Sequence, residues 1–167
     1  MPLRTISVIG GSEADETASK LAERVGEEIA RRGVVLVCGG LGGVMEAACR
    51  GAKKRNGVTV GILPSEDKKN ANRFVDIAIP SGFGRGRNFL VALSGDAVIA
   101  VGGSAGTLSE MAIAWFSEKP LVALATSGGW AQRLAGDKID DRRNDSVYSA
   151  STPEEAVDFV FRTLGWK

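Results

Sequence analysis

Short apolar runs rich in β-branched residues alternate with longer amphipathic stretches from one end of the chain to the other. We predict strands over residues 5–9, 34–37, 58–62, 75–79, 97–101, 121–124 and 146–149. We predict helices over residues 15–32, 44–54, 88–93, 107–116 and 130–134, and a last helix that begins at the Thr152-Pro153-Glu154-Glu155 cap. Alternation of this kind indicates an α/β fold with a mostly parallel sheet and helices on both faces.

Length and composition fit a single domain that spans residues 1–167. Hydrophobic residues make up 44% of the chain and charged residues 25%, which is typical of a globular protein. The 21 basic and 20 acidic side chains nearly cancel, which argues against binding to nucleic acid. No apolar run reaches the roughly 20 residues of a membrane helix, so we also expect no membrane partner.

Histidine is absent and cysteine is rare. A chain without histidine cannot build Ser-His-Asp or Cys-His nucleophile systems, and it lacks the ligands of most zinc sites, so we predict no metal site. Cys38 and Cys49 cannot form a disulfide framework, and we interpret them as small buried apolar residues. The N-terminus shows no signal-peptide pattern, and with the cysteine count this favours a cytoplasmic location.

Three clusters of glycine follow predicted strands, at residues 10–11, 39–43 and 102–106. Ligands bind beyond the carboxyl ends of parallel strands, and all three clusters fall there. Glycine lets the backbone approach a ligand, and free amides at a helix start attract an anion such as phosphate. Glycine also serves left-handed turns, so one cluster alone would be weak evidence. Three clusters favour a phosphate-bearing ligand, although neither a P-loop nor a dinucleotide fingerprint is present.

Several polar side chains near these clusters are candidates for binding the ligand. Arg85 and Arg87 lie in a glycine-rich loop, where an arginine either holds an anion with its planar guanidinium or is simply solvated. Glu110 lies one turn into a predicted helix, where it either complements the helix dipole or points at the ligand. Thr107 is the helix N-cap, a ligand hydroxyl, or both. The polar segment 65–73 is predicted to be a mobile loop that covers the pocket.

With these residues in place, the chain resembles the Rossmann-like superfamily described as lysine decarboxylase-like. This superfamily includes the lonely-guy phosphoribohydrolases, the molybdenum cofactor carrier proteins and, more distantly, the DNA-processing protein A domain. Its Gly-Gly-x-x-Gly-x-Met pattern falls on residues 39–45, and its Pro-Gly-Gly-x-Gly-Thr-x-x-Glu box falls on residues 102–110. Gly102-Gly103-Ser104 replaces the Pro-Gly-Gly of the enzymes, and Arg87-Asn88 replaces their Arg-Lys. These departures make the chain most similar to the carrier-protein branch.

The resemblance implies a single Rossmann-like domain and a set of ligand-binding residues at the carboxyl edge of the sheet. Arg87 and Glu110 would be the catalytic residues if the protein is an enzyme. The predicted ligand-binding residues are Gly10, Gly11, Ser12, Gly39, Gly40, Gly42, Gly43, Met45, Arg87, Asn88, Gly103, Ser104, Gly106, Thr107 and Glu110.

The resemblance implies two candidate functions, and we rank the binding function narrowly above the enzymatic one. The first is a binding or carrier protein for a phosphate-bearing, nucleotide-like or pterin-like ligand, with the molybdenum cofactor or a nucleotide as the candidate bound ligand. The second is an enzyme that cleaves the N-glycosidic bond of a nucleoside 5′-monophosphate, where Glu110 stabilises an oxocarbenium-like state and Arg87 holds the phosphate. A regulatory or DNA-processing module is a third class, against which the near-neutral charge argues.

The resemblance also implies a homodimer or a higher homo-oligomer. Relatives commonly pair through helices near the second glycine box, and this chain has Trp115 and Phe116 at the end of that helix. We therefore expect these two aromatic side chains to lie at an interface between copies.

Overall fold

A seven-stranded parallel sheet forms the centre of the protein. The computed structural model describes residues 1–167. Its strands are β1 (Thr5–Gly10), β2 (Val35–Cys38), β3 (Thr59–Leu63), β4 (Ile77–Pro80), β5 (Ala97–Val101), β6 (Leu121–Leu124) and β7 (Tyr148–Ala150). Its helices are α1 (Glu16–Arg31), α2 (Val44–Lys54), α3 (Arg87–Ser94), α4 (Ala105–Phe116), α5 (Gly129–Leu134) and α6 (Pro153–Leu164). The predicted α/β class with a parallel sheet is confirmed.

The strand order is β4-β3-β2-β1-β5-β6-β7, and every neighbouring pair is parallel. The chain winds outward from β1 to β4 and then returns to the other side of β1 to add β5, β6 and β7. The loops after β1 and β5 therefore diverge to opposite faces, which leaves a crevice at the carboxyl edge between them. Gly10, the last residue of β1, lies opposite Val101 at the end of β5.

Alternation along the strands divides the core into two layers, one on each face of the sheet. In β5, Ile99 and Val101 face the layer formed by α1, α2 and α6, whereas Val98 and Ala100 face α3, α4 and α5. All five residues of β5 are buried, as expected for a central strand that is covered on both sides. None of the helices combines the length and the apolar character that crossing a bilayer requires.

Most predicted elements begin and end within two residues of the observed ones. The difference at the start of α4 matters most, because it changes the position of Thr107 in the helix. α4 begins at Ala105 with Ser104 as its N-cap, so Thr107 lies inside the first turn and is not the cap. The prediction failed because Gly106 disfavours a helix in an isolated sequence. Thr107 is instead buried, beneath the glycine turn that precedes the helix.

The segment 65–73 contains a short 3-10 turn (Lys68–Asn70) and is attached to the glycine turn that follows β2. The backbone amide of Asn72 donates to the carbonyl of Gly40 at 2.9 Å, and its side-chain amide donates to the carbonyl of Leu41 at 2.9 Å. Asn72 thereby ties this segment to the turn and fixes two of the turn's carbonyl groups.

Two glycines allow α1 and α2 to pack closely against each other. A Cβ atom on Gly26 would lie 1.9 Å from the carbonyl oxygen of Ala48, and one on Gly51 would lie 1.8 Å from that of Glu23. A side chain at either position would force the two helices apart. The position of α2, and of the glycine turn that leads into it, therefore depends on these two residues.

We predict that Gly51→Ala lowers the free energy of unfolding by about 1–3 kcal/mol, because the added methyl group overpacks the interface between α1 and α2. Helix propensity alone predicts the opposite change, by about 1 kcal/mol. Urea unfolding followed by circular dichroism measures the difference. The matched control is Gly86→Ala, where φ is −62° and the nearest atom to an added Cβ lies 3.7 Å away. A Gly51→Ala protein as stable as the wild type would contradict the prediction.

Candidate functional site

A cleft of about 330 Å³ opens at the carboxyl edge of the sheet, at the crevice between β1 and β5. Its volume is at the lower end of the range of small-molecule sites. The lining residues come from the end of β1, the start of α2, the start of α3 and the first turns of α4. They are Gly10, Gly11, Ser12, Glu13, Leu41, Met45, Arg85, Arg87, Asn88, Ser104, Gly106, Thr107 and Glu110.

Arg87 is the first residue of α3, and its guanidinium is largely buried, with 11% of the side chain exposed. Its Nη1 donates to the side-chain oxygen of Asn88 and lies 3.8 Å from Oε1 of Glu110. Its Nε is buried and has no hydrogen-bond partner. An unpaired charged donor is costly in a protein interior, so this N–H is a position at which a ligand acceptor would be strongly favoured.

Asn88 fixes the orientation of this arginine relative to α4. While its oxygen accepts from Arg87, its side-chain nitrogen donates to Oγ of Ser109 at 3.1 Å. The Ser109 hydroxyl in turn donates to the carbonyl oxygen of Gly106 at 2.6 Å. This chain of hydrogen bonds connects the start of α3 to the first turn of α4, so Arg87 is held in place before any ligand binds.

Glu110 lies on α4 with 10% of its side chain exposed and no hydrogen-bond partner for its carboxyl group. Burial raises the pKa of Glu110 to about 8, and the nearby positive charge of Arg87 only partly opposes this effect. The carboxyl group is therefore mainly protonated at neutral pH. In this form it does not cancel the charge of Arg87, and it can donate a hydrogen bond.

The N-terminus of α4 supplies further donors on the same side of the cleft. Ser104 makes no side-chain capping bond, and the first turn carries no acidic residue. The carbonyl oxygens of Gly102 and Gly103 accept from the amides of Ala131 and Trp130, at 3.1 and 3.0 Å, so the turn before α4 is fixed against α5. The first residues of α4 line the cleft, and their amides lie at the positive end of a helix dipole, an arrangement that favours an anion.

The glycines of the turn after β2 are not among the residues that line the cleft, although Leu41 of the same turn is. A Cβ on Gly43 would lie 2.3 Å from the carbonyl oxygen of Gly11, and one on Gly40 would lie 2.7 Å from Leu63. A Cβ on Gly39 would lie 2.7 Å from Nη2 of Arg87. These glycines permit close packing of the loops against each other, and at Gly39 against the Arg87 guanidinium that lines the cleft.

Gly103, in the second glycine turn, likewise permits close packing of the backbone. Its φ is +98°, and an added Cβ would lie 2.2 Å from Oγ1 of Thr107. The residue is required by its left-handed backbone and by the close approach to α4, and it does not line the cleft.

The structure thus brings most of the predicted ligand-binding residues together and leaves five of them outside the lining of the cleft. Those in the lining are Gly10, Gly11, Ser12, Met45, Arg87, Asn88, Ser104, Gly106, Thr107 and Glu110. Those outside it are Gly39, Gly40, Gly42, Gly43 and Gly103.

Sequence reasoning missed three lining residues. Glu13 and Leu41 carried no chemical signal beyond their positions next to glycine clusters, and Arg85 was considered beside Arg87 but left out of the predicted set. Residues 65–73, predicted to cover the pocket, are absent from its lining and contact the back of the glycine turn through Asn72.

Comparison with known proteins places this geometry among ligand-binding relatives. The sequence model of the SLOG cluster4 family matches residues 3–157. The molybdenum cofactor binding protein from Rippkaea orientalis is 40% identical, with a TM-score of 0.88 over 98% of this chain and 99% of that one. The molybdenum cofactor carrier protein from Chlamydomonas reinhardtii is 32% identical, with a TM-score of 0.83 over 97% and 99%. A protein from Archaeoglobus fulgidus is 49% identical over 124 residues, which are 74% of this chain and 82% of that one.

We predict that stability falls as pH rises from about 4.5 to about 8, and that Glu110→Gln removes this fall. The folded protein keeps the Glu110 proton up to a pKa of about 8, whereas the unfolded chain loses it near 4.5. Each pH unit in this window then lowers the free energy of unfolding by up to about 1.4 kcal/mol. The chain has no histidine, so no imidazole titrates in the same window.

Urea unfolding at a series of pH values provides the measurement for both proteins. Glutamine has the shape of the protonated acid and remains neutral, so it is a matched control. Parallel pH profiles for the two proteins would show that Glu110 titrates normally and would contradict the prediction.

Proposed function

The chain belongs to the SLOG cluster4 family, and we propose that it is a binding or carrier protein for a phosphate-bearing, nucleotide-like or pterin-like ligand. The names of its structural relatives from Rippkaea orientalis and Chlamydomonas reinhardtii support a carrier or binding role, and they make the molybdenum cofactor the leading candidate for the bound ligand. We expect this role to be carried out in the cytoplasm, as the cysteine usage of the sequence favours.

One observation carries the proposal: the buried Nε of Arg87 has no partner in the protein. Asn88 accepts from Nη1 of the guanidinium, which restricts rotation of the group. An oxyanion that enters the cleft would satisfy this donor, and a planar guanidinium suits two oxygens of one phosphate. The site is therefore organised for an anion before the anion arrives.

The electrostatics of the inner cleft support the same proposal. Glu110 is mainly neutral at pH 7 because burial raises its pKa to about 8, so Arg87 keeps its net positive charge. The amides at the start of α4 add a partial positive charge on the same side. A phosphate bound beside Arg87 would meet the guanidinium and the first amides of α4, and the protonated Glu110 would donate a further hydrogen bond.

The rest of the lining offers surface to the remainder of the ligand. Leu41 and Met45 are its two hydrophobic residues, and because Met45 is 6% exposed, Leu41 offers most of the apolar surface to a base or pterin ring. Arg85 and Glu13 are exposed residues of the lining. Arg85 lies between Gly84 and Gly86 and forms no salt bridge, so it is free to contact a second anionic group of the ligand.

Hydrolysis of a nucleoside 5′-monophosphate is the second candidate, and the state of Glu110 is the observation that favours it. A protonated carboxyl with a pKa near 8 is a suitable general acid for a leaving base. The carboxylate of Glu13, which also lines the cleft, would then be the group that stabilises positive charge on the sugar. Catalysis needs both groups, whereas binding needs only the inner site.

We also propose that the protein forms a homodimer through an apolar patch on α3 and α4. The patch consists of Phe89, Leu90 and Leu93 on α3 and Phe116 at the end of α4, all of which are 40–47% exposed. The rings of Phe89 and Phe116 are 5.9 Å apart and make the patch continuous. The expectation for Trp115 is wrong: it is 1% exposed, and its indole N–H donates to Asp140 at 2.8 Å, within the protomer.

We predict that wild-type protein binds inorganic phosphate, a nucleoside 5′-monophosphate and a pterin phosphate, and that Arg87→Ala weakens binding at least about tenfold. The loss corresponds to charge-assisted hydrogen bonds of about 1.5–3 kcal/mol. Arg87→Lys keeps the charge but removes the planar donor pair, so we expect it to bind weakly as well. Isothermal titration calorimetry measures the affinities, and stabilisation against heat gives an independent estimate.

Arg85→Ala is the matched control for Arg87→Ala, because it removes the same charge from the exposed part of the lining. Arg85→Ala should leave the affinity for inorganic phosphate nearly unchanged. Equal losses in both variants would indicate non-specific electrostatic attraction and would contradict the proposed inner site. Release of free base from the nucleotide, lost in Glu110→Gln, would replace the carrier function with the hydrolase.

We predict that the wild-type protein sediments as a dimer at micromolar concentration and that Phe89→Glu sediments as a monomer. The introduced charge would be buried without a partner at the interface between copies. Phe83→Glu is the control, because Phe83 is 69% exposed but lies in the loop before α3, outside the patch. A monomeric wild-type protein in sedimentation velocity would contradict the proposal.

A further inference from the structure

The two cysteines of the chain lie together under the wall of the cleft. Cys38 ends β2 and Cys49 lies in the middle of α2, and their Sγ atoms are 3.5 Å apart. Both residues are fully buried, as the sequence indicated, but their pairing was not foreseen. They are the only cysteines of the chain, so any disulfide within one protomer must join these two.

The surroundings of the two sulfur atoms differ, and the difference favours a thiolate at Cys38. The backbone amide of Gly40 donates to Sγ of Cys38 at 3.3 Å. Hydrogen bonds from Cys49 and Gly40, together with the charge of Arg87, hold the pKa of Cys38 below its usual range. The hydrogen bond to Cys38 and burial instead raise the pKa of Cys49, which therefore stays protonated.

Access to the pair requires a local opening of the turn after β2. Both sulfurs are fully buried, and the space beside Gly39 is filled by the side chains of Arg87 and Met45. A small oxidant can reach Cys38 in a transient local opening of residues 39–43, whereas a bulky reagent needs a much larger opening.

We infer that Cys38 and Cys49 are an oxidisable dithiol, in which Cys38 reacts with a peroxide and Cys49 resolves the product to a disulfide. This inference goes beyond the proposed ligand-binding function and does not depend on it. The geometry supplies a sulfur that accepts a hydrogen bond from the Gly40 amide and a second thiol 3.5 Å away.

The reaction balances with hydrogen peroxide as the oxidant. The Cys38 thiolate attacks one peroxide oxygen, an S–O bond forms, the O–O bond breaks, and the departing hydroxide takes a proton to become water. The Cys49 sulfur then attacks the sulfenic sulfur of Cys38, the S–S bond forms, and hydroxide leaves with the Cys49 proton as a second water. Two electrons pass from the two sulfurs to the peroxide.

Disulfide formation changes the turn that supports the cleft. The sulfurs must approach from 3.5 Å to about 2.05 Å, which draws Cys38 towards α2. The hydrogen bond from the Gly40 amide to the Cys38 sulfur is then weakened. Residues 39–45, which pack against Arg87 and begin α2, should lose protection in the oxidised protein.

The test treats the folded wild-type protein with hydrogen peroxide, removes the peroxide, and counts thiols after denaturation. We expect two thiols before treatment and none after it, a linked pair of peptides containing Cys38 and Cys49 that is two hydrogen atoms lighter than the free thiols, and full recovery of both thiols with dithiothreitol. Hydrogen exchange measured by mass spectrometry should show faster exchange over residues 39–45 in the oxidised form. Ellman's reagent, which is bulky, should react with neither thiol in the folded, untreated protein.

Cys49→Ala is the control, because it leaves Cys38 without a resolving partner. In this variant peroxide should add oxygen to Cys38 more slowly, because the hydrogen bond from Cys49 is lost, and exchange over residues 39–45 should not become faster. The inference is overturned if the wild type retains two thiols, or if peptide mapping shows that Cys38 or Cys49 has gained oxygen atoms that dithiothreitol does not remove. These outcomes are read from the wild-type protein alone, so they remain decisive even if the variant folds poorly.

Discussion

The close approach of the end of β1 to its two neighbours is the constraint on which the rest of the structure depends. A Cβ on Gly10 would lie 2.5 Å from the carbonyl oxygen of Val101 and 2.5 Å from the side chain of Val44. β1 can therefore end between β5 and α2 only without a side chain at this position. Because the chain reverses its direction of strand addition at β1, the same point is where the crevice opens. One packing requirement thus fixes both the sheet centre and the position of the cleft.

Burial of Arg87 without a full set of partners is the second feature that needs a physical reason. Asn88 holds one edge of the guanidinium, but Glu110 is 3.8 Å away and mainly protonated, so it does not compensate the charge. A structure selected for stability alone would pair this charge or replace it with an apolar side chain. The arrangement is unfavourable in the free protein and becomes favourable when an anion supplies the missing acceptor, as expected of a binding site.

The fold was predictable because its signals are local. The bounds of α2, β5 and β6 follow from apolar periodicity and turn residues, and the structure reproduces them. The site was predictable only in part. Sequence motifs located Arg87 and Glu110, but a glycine motif cannot distinguish contact with a ligand from contact between loops, as Gly40 and Gly43 show. The pairing of Cys38 with Cys49 depends on how α2 packs against β2, which no spacing of residues reveals.

The protonation of Glu110 bears directly on the proposed carrier role, which requires both binding and release. A bound anion next to Glu110 would hold the proton on its carboxyl group still more firmly, since ionisation would place two negative charges side by side. By linkage, loss of that proton would weaken anion binding by the same free energy. With a pKa of about 8, the protonated state of Glu110 in the free protein is favoured by only about 1.4 kcal/mol at pH 7. A protonated Glu110 would therefore favour retention of an anion in the cleft, and an ionised Glu110 would favour its release.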